Sequence, residues 1–325
     1  MRPFTTLIRQ LLSVCLLAVA ATASAQTYPT RTIEWVVPYP AGGGTDVVAR
    51  MLADAMGKTL GQTIVVTNKP GAATNIGADY VAHARADGYT LLSADTGTLA
   101  ANQALYSKLN YSAEKDFAPV GLMARFPLIL VVNPKVPAKN LNEFIAWAKT
   151  QSGGANFASP GSGSPHHLAT ILFGEQAGLK LMHIPYRGAA PAIQDVVSGQ
   201  VPFMFVDTAS GSSFIAAGKL RAIGIASAQR VKNFDSIPTL AEQGLKGFEA
   251  SAWQGLVVPT GTPPDVVAKL NKALVQALGT TGIKARFQAL GLEAIPSTPA
   301  QMAAYTDSER KKWGAVIRAS GIKLD

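Results

Sequence analysis

The sequence predicts an α/β fold in two lobes, and three observations predict it. Short apolar runs rich in β-branched residues alternate with helical patterns along the chain, glycine-rich turns stand where a strand gives way to a helix, and two proline-marked passages divide the chain. The alternation implies βαβ units and mixed, largely parallel sheets.

Ile33 to Val37 reads as a buried strand and Val47 to Leu60 as a helix with one apolar face; a strand at Ile64 to Thr67 and a helix at Gly77 to Ala86 follow. Further strands are expected at Tyr89 to Ala94, Leu128 to Val132, Ala155 to Ala158, Leu181 to Ile184, Val201 to Val206, Arg221 to Ala226 and Trp253 to Val258. Helices are expected at Leu141 to Gln151, Pro165 to Gly178, Pro191 to Ser198, Pro264 to Leu278 and Pro299 to Ala319. The passages are Arg125-Phe126-Pro127 before one strand, and Pro259-Thr260-Gly261-Thr262-Pro263 after Trp253 to Val258. A domain inserted between two crossings takes the chain through a hinge twice. The expected division is 1–25 as a leader, 26–125 as the first part of lobe one, 126–250 as lobe two, and 251–325 as the return to lobe one.

The leader is read from Arg2 and Arg9, the apolar stretch Leu11 to Ala21, and the small-x-small site Ala23-Ser24-Ala25. These are the parts of a secretory signal peptide, with a mature start at Gln26. The apolar stretch is short for about 30 Å of hydrocarbon. Cys15, the sole cysteine, lies inside that stretch after Val14, where a lipoprotein signal needs a small residue. The expected product is a soluble periplasmic protein without a disulfide. Removing Arg2 and Arg9 leaves 27 basic residues against 20 acidic, a diffuse +7. No basic-aromatic stripe accompanies that charge, which excludes nucleic acid as the expected partner. A content of 48% hydrophobic and 15% charged residues suits a globule with a large core and excludes a disordered chain.

Chemistry concentrates in Pro38-Tyr39-Pro40-Ala41-Gly42-Gly43-Gly44-Thr45-Asp46, which follows a strand and opens a helix. Three successive glycines allow backbone N–H groups to turn toward one point at a helix N-terminus, which makes an anion cradle. No Gly-Lys-Ser/Thr follows, and Val47 stands where a dinucleotide fingerprint needs glycine or alanine, so neither nucleotide motif is met. The alternative is a tight turn with Asp46 as a first-turn acid. A second segment, Ser159-Pro160-Gly161-Ser162-Gly163-Ser164-Pro165-His166-His167, repeats the strand-to-helix design, with a serine-glycine turn as its structural alternative.

Other polar positions fall at strand ends, where open α/β sheets bind ligands: Ala72 and Thr74 after the second strand, Asp95 and Thr96 after the third, and Asp207 after Val201 to Val206. Arg187 could contact a carboxylate or be a solvated arginine beside a helix start. Trp253 either lines a pocket or packs the hinge.

These segments together resemble the substrate-binding proteins of tripartite tricarboxylate transporters, the Bug-type periplasmic receptors. The carriers are Tyr28-Pro29; Ile33 to Pro38 leading into Pro40 to Asp46; Asn68-Lys69-Pro70-Gly71-Ala72 with Asn75-Ile76-Gly77; Asp87 to Leu92; Gly161-Ser162-Gly163 with His166 to Ala169; Pro185 to Gly188 with Ala190-Pro191; and Pro259 to Pro263. The resemblance implies a two-lobed, type II Venus-flytrap fold whose cleft holds a small organic acid, without a cofactor, for delivery to a membrane permease. Carried over, the ligand-binding set is Ala41, Gly42, Gly43, Gly44, Thr45 and Asp46 in one lobe and Ser162, His166, Arg187 and Asp207 in the other, with Gly163 added from the serine-glycine loop. Ala72, Thr74, Asp95 and Thr96 join it from the strand-end reading.

Two other functions compete. A sensory receptor that docks on a signalling ectodomain would use the same fold. A serine hydrolase is invited by Gly161-Ser162-Gly163-Ser164, but Pro160 occupies the place where the nucleophile elbow needs glycine. His83, His166, His167 and His183 have no zinc-site spacing. The expectation is therefore a binding protein and not an enzyme.

Overall fold

The computed structural model describes residues 28–324. The expected signal peptide and the mature start at Gln26 lie outside them.

Two mixed sheets share one strand. The first runs in the order β2 (Ile64–Asn68), β1 (Ile33–Val37), β3 (Thr90–Asp95), β9 (Ser251–Pro259), β4 (Phe117–Val132), with β10 (Glu293–Ala294) on β4. The second joins β4 to β7 (Phe203–Asp207), β5 (Ala155–Ser159) and β6 (Leu181–Pro185), with β8 (Arg221–Ile225) also on β4. The parallel pairs are β1–β2, β1–β3, β5–β6 and β5–β7. Every pairing made by β4 or β9 is antiparallel, so the parallel share is smaller than the alternation suggests. The strands that cross the hinge set this difference, because they lie side by side with opposite directions.

The expected strand at Leu128 to Val132 is the second half of β4, which begins at Phe117. Residues Phe117 to Pro127 pair with β9, and Leu128 to Val132 pair with β7 and β8. Pro127 has no N–H for a ladder, and it sits where the strand changes partners. The chain returns through Ala250, whose N–H bonds Ala226 O at 3.0 Å before β9 starts.

Helices cover the sheets as amphipathic periodicity requires. Helix α1 (Gly44–Leu60) buries Val48, Ala49, Leu52, Ala53 and Met56, the i, i+3/i+4 face. Helix α2 is Asn75–Ala82 and α3 Asn102–Leu105; α4 is Leu141–Lys149, α5 Pro165–Ala177, α6 Ala189–Ser198 and α7 Thr208–Ala216. The chain closes with α8 (Pro264–Gly279), α9 (Thr281–Ala289) and α10 (Pro299–Ser320). The second lobe packs Phe144, Phe173, Phe203, Phe205 and Phe248 ring against ring. Among the described residues no helix is long and apolar enough to cross a membrane.

Candidate functional site

Strands β1, β5, β6 and β7 release their carboxyl ends into one cleft between the two sheets. It encloses about 690 Å³ of empty space, including its open mouth. Its walls come from both lobes, because Tyr39 to Ala41 and Gly43 to Thr45 follow β1 whereas Pro160, His166, Arg187 and Asp207 follow strands of the second sheet.

The first loop is held from behind. Gly42, at φ +87°, donates its N–H to Asp46 Oδ2 at 3.0 Å, and Arg50 Nε donates to the same oxygen at 3.0 Å. Asn68 Nδ2 reaches Asp46 Oδ1 and Tyr39 O, both at 2.9 Å. Burial pushes the Asp46 carboxyl up, but the bonds from Arg50, Gly42 and Asn68 overcome it and hold it below its ordinary value. Asp46 thus spends both oxygens within its own lobe and does not line the cleft; nor does Gly42. Ala41, Gly43, Gly44 and Thr45 do line it. Helix α1 starts on Gly43 without a side-chain cap, so its first-turn donors face the cavity unclaimed by a capping group.

Helix α6 repeats this arrangement from the other lobe. It starts on Gly188, again without a side-chain cap, and Gly188, Ala189 and Ala190 line the cleft beside the exposed Arg187. This start lies two residues earlier than the sequence pattern placed it. Pro191 sits in the first turn, where a missing N–H costs nothing. A Cβ on Gly188 would lie 3.2 Å from Pro40 Cγ, so the absence of a side chain lets the two lobes meet there.

The serine-glycine loop serves α5 instead. Ser164 caps the His167 N–H at 3.3 Å, and Gly163 N–H donates to His167 Nδ1 at 3.1 Å. Ser162 and Gly163 stay out of the cavity wall, whereas Pro160, Pro165 and His166 enter it. The His167 ring stacks on His183 at 3.8 Å, and His183 Nε2 lies 2.6 Å from Ser159 Oγ. Burial pushes His167 down to about 3, helped by His183, and pushes His183 down to about 4. Ser159 is fully buried and outside the cleft, which removes it from reach of a substrate.

Two carboxylates face the cavity. Asp95 accepts Thr98 N–H at 2.9 Å, Thr98 Oγ1 at 3.0 Å and the Tyr39 hydroxyl at 2.7 Å. Burial, reinforced by Asp95, keeps Tyr39 protonated far above its ordinary value. Asp207 caps α7 through Ser210 N–H at 2.8 Å and lies 3.3 Å from His166 Nε2. Burial raises its carboxyl, but the His166 and Ser210 bonds outweigh that and leave it below its ordinary value.

Ala72, Thr74 and Thr96 lie outside the wall. Ala72, Ala73 and Thr74 take left-handed φ values of 45°, 50° and 77°, held by Asn102 Nδ2 on Ala73 O at 2.8 Å and Thr98 Oγ1 on Thr74 Oγ1 at 2.9 Å. That turn braces Thr98, the residue that fixes Asp95. Trp253 is among the residues that line the cleft, but its side chain is almost fully buried, with the ring edge-on to Tyr305 and Nε1 donating to Glu309 Oε2 at 2.8 Å. Phe126 and Ala252 line the floor beside it, and no polar signal in the sequence marked either.

Two mixed sheets that share β4, with a cleft at the carboxyl ends of their strands, make the fold of a two-lobed periplasmic binding protein. Residues 48–322 match the family described as the tripartite tricarboxylate transporter family receptor, and the chain belongs to that family of solute-binding receptors. It is 38% identical to Protein BugT of Bordetella pertussis over 307 residues, covering 94% of each chain. An adipate-bound protein of R. palustris superposes with a TM-score of 0.88 at 31% identity, over 91% of this chain and 99% of its own. MatC from Rhodopseudomonas palustris with bound malate gives 0.85 at 36% identity, over 89% and 100%. The family consists of periplasmic binding proteins, which are not enzymes.

Proposed function

We propose that this chain captures a small organic acid from the periplasm and presents it to a membrane permease of the tripartite tricarboxylate type. One observation carries the reading. The uncapped N-termini of α1 and α6, one from each lobe, open onto the same cavity, with Arg187 beside them. Helix N-termini offer free N–H donors and a positive dipole end, which offset the desolvation of a carboxylate. A ligand that touches both termini favours the state in which both contacts exist, so binding and lobe closure are one event. The adipate and malate complexes of the two relatives support the ligand class.

A thermal-shift screen of di-, tri- and aromatic carboxylates tests it. At about 100 times the dissociation constant, a ligand stabilises the fold by roughly 2.7 kcal/mol. Gly43→Val is the matched control. Gly43 has an ordinary extended backbone at φ −79°, and a Cβ there meets only Pro40 O at 4.0 Å, so a valine folds normally and projects into the cavity. The variant should melt like wild type and give no shift with the acid. A shift with sugars, peptides or metals and with no carboxylate, or undiminished acid binding by Gly43→Val, would overturn the assignment.

A further inference from the structure

Gly163 stays out of the cavity wall because it is seated elsewhere. A Cβ on it would lie 2.9 Å from Leu105 Cδ1, 3.3 Å from Leu324 Cδ1 and 3.4 Å from Asn102 Oδ1. All three belong to the first lobe, whereas Gly163 follows β5 of the second sheet. From the opposite side, a Cβ on Gly97 would lie 3.5 Å from Gly163 O. The tip of the serine-glycine loop is therefore buried in a socket built from the turn Gly97–Ala101, α3 and the tail that follows α10.

Each side of this contact is held within its own lobe. The Gly163 N–H is spent on His167 Nδ1, which fixes the loop. Asn102 Nδ2 donates to Ala73 O at 2.8 Å and to Asn75 Oδ1 at 2.6 Å, which fixes one wall of the socket. The tail is tied to α3. Helix α10 ends on Gly321 at φ +68°, Lys323 Nζ donates to Ala104 O at 3.2 Å, and the Leu324 N–H donates to Leu105 O at 2.9 Å. These bonds satisfy carbonyls that the end of a helix leaves open. The half-buried Leu324 side chain, beside the fully buried Leu105, then covers the loop of the other lobe. Parting the lobes withdraws Gly163 and uncovers both leucines, so the contact favours the closed arrangement alone.

We infer that Leu324 is a positioning residue for capture, and that residues 322–324 form a strap that holds the serine-glycine loop of the second lobe in its socket on the first. Gly97, Asn102, Leu105, Gly163 and Leu324 do not line the cleft. The strap therefore sets affinity from outside the site, through the population of the closed arrangement and not through contact with the ligand.

Deletion of residues 322–325 and Leu324→Ala in the otherwise intact protein test this, with malate and adipate as probes. Both changes should weaken binding, the deletion by roughly three- to thirtyfold, the range that apolar cover from one half-buried leucine supports. Stopped-flow kinetics should assign the loss to faster dissociation with association unchanged, because the strap acts only once the lobes meet. A tail that merely supports the fold would lower the melting temperature and leave dissociation alone. That result in both variants would overturn the inference and leave the carboxylate reading standing. Should the deletion not fold, Leu324→Ala decides. If wild type bound neither acid, the carboxylate reading would be the one in difficulty, and the strap would be read from spin labels on Lys149→Cys in α4 and Lys272→Cys in α8, both exposed. Without ligand, the full chain should show a population at the closed interlobe distance that the deletion loses, and identical distance distributions would overturn the inference.

Discussion

Replacing Gly44 by alanine puts a methyl group where the lobes meet, and its cost can be worked out from the contacts. An ideal Cβ there lies 2.9 Å from Phe126 Cε1, 3.2 Å from Phe126 Cδ1 and 3.0 Å from Asp207 Oδ1. Asp207 belongs to the second lobe, so its overlap exists only while the lobes meet, whereas Phe126 lies in the part of β4 that pairs with β9 in the first sheet and its ring must give way in either arrangement. Overpacking of this kind costs about 1–3 kcal/mol. An open cleft lets Asp207 withdraw, so that share of the cost falls on closure, while the share from Phe126 falls on folding as well. Affinity for the captured acid should therefore drop roughly five- to hundredfold, with each factor of ten worth about 1.4 kcal/mol. Gly44 has no left-handed backbone, so alanine adopts its conformation without strain. Calorimetry should give weaker binding, and unfolding of the ligand-free variant in urea should show a loss of no more than about 1–3 kcal/mol, the part that repacking against Phe126 costs. Unchanged affinity would refute the reasoning that the lobes meet at Gly44 when the acid is held.

The remaining predictions follow from closure and from the histidine stack. Small-angle scattering should show a smaller radius of gyration in saturating acid than in its absence, and identical curves from free and bound protein would mean a rigid cleft. His167 and His183 sit at about 3 and about 4 against an ordinary 6.5, so the unfolded chain takes up protons that the folded one refuses. Stability is therefore complete above about pH 7 and falls as the pH drops through 6.5, by about 1.4 kcal/mol per unit for each ring, or about 2 kcal/mol each by pH 5. Denaturant melts at pH 7 and pH 5 should show this loss, and a His167→Phe/His183→Phe variant should lose much less; an equal loss in the variant would assign the effect elsewhere.

The fold was legible where one periodicity ran uninterrupted. Strand β1, with every residue but one buried, and helix α1 with its apolar face were found because nothing breaks their patterns. The first half of β4 was not found, because Pro119, Gly121 and Pro127 disrupt a strand whose register shifts twice against β9. Helix α7 was missed for a different reason. Thr208-Ala209-Ser210-Gly211-Ser212-Ser213 is poor in helix formers, and the helix depends on Asp207 as its cap. Asp207 stands out in the sequence by its strand-end position and by the family resemblance, and its capping role becomes visible only when the following residues are known to be helical.

The site divides along the same line. A glycine-rich junction announces close backbone approach, but not what approaches. At Gly43 and Gly188 the first-turn donors are left for the cavity, whereas at Gly163 the N–H is taken by His167 within its own loop. The difference lies in the capping residue. Helix α5 opens onto the cleft with Ser164 as its cap, and α7 is capped by Asp207, so their terminal charge is partly spent. Glycine in the capping position costs a helix only a few tenths of a kcal/mol relative to serine or asparagine, because it too adopts the required backbone. A helix can therefore give up its own cap at little cost to folding and still present bare N–H groups to a ligand. On the proposed function, two such helices, one in each lobe, would make the acid the missing cap of both, complete only when the lobes are together. Asp46 tightens the same device from behind: by taking the Gly42 N–H it fixes the turn that aims α1 at the cleft, which explains why the only acid in the glycine loop points into the protein and not toward the ligand.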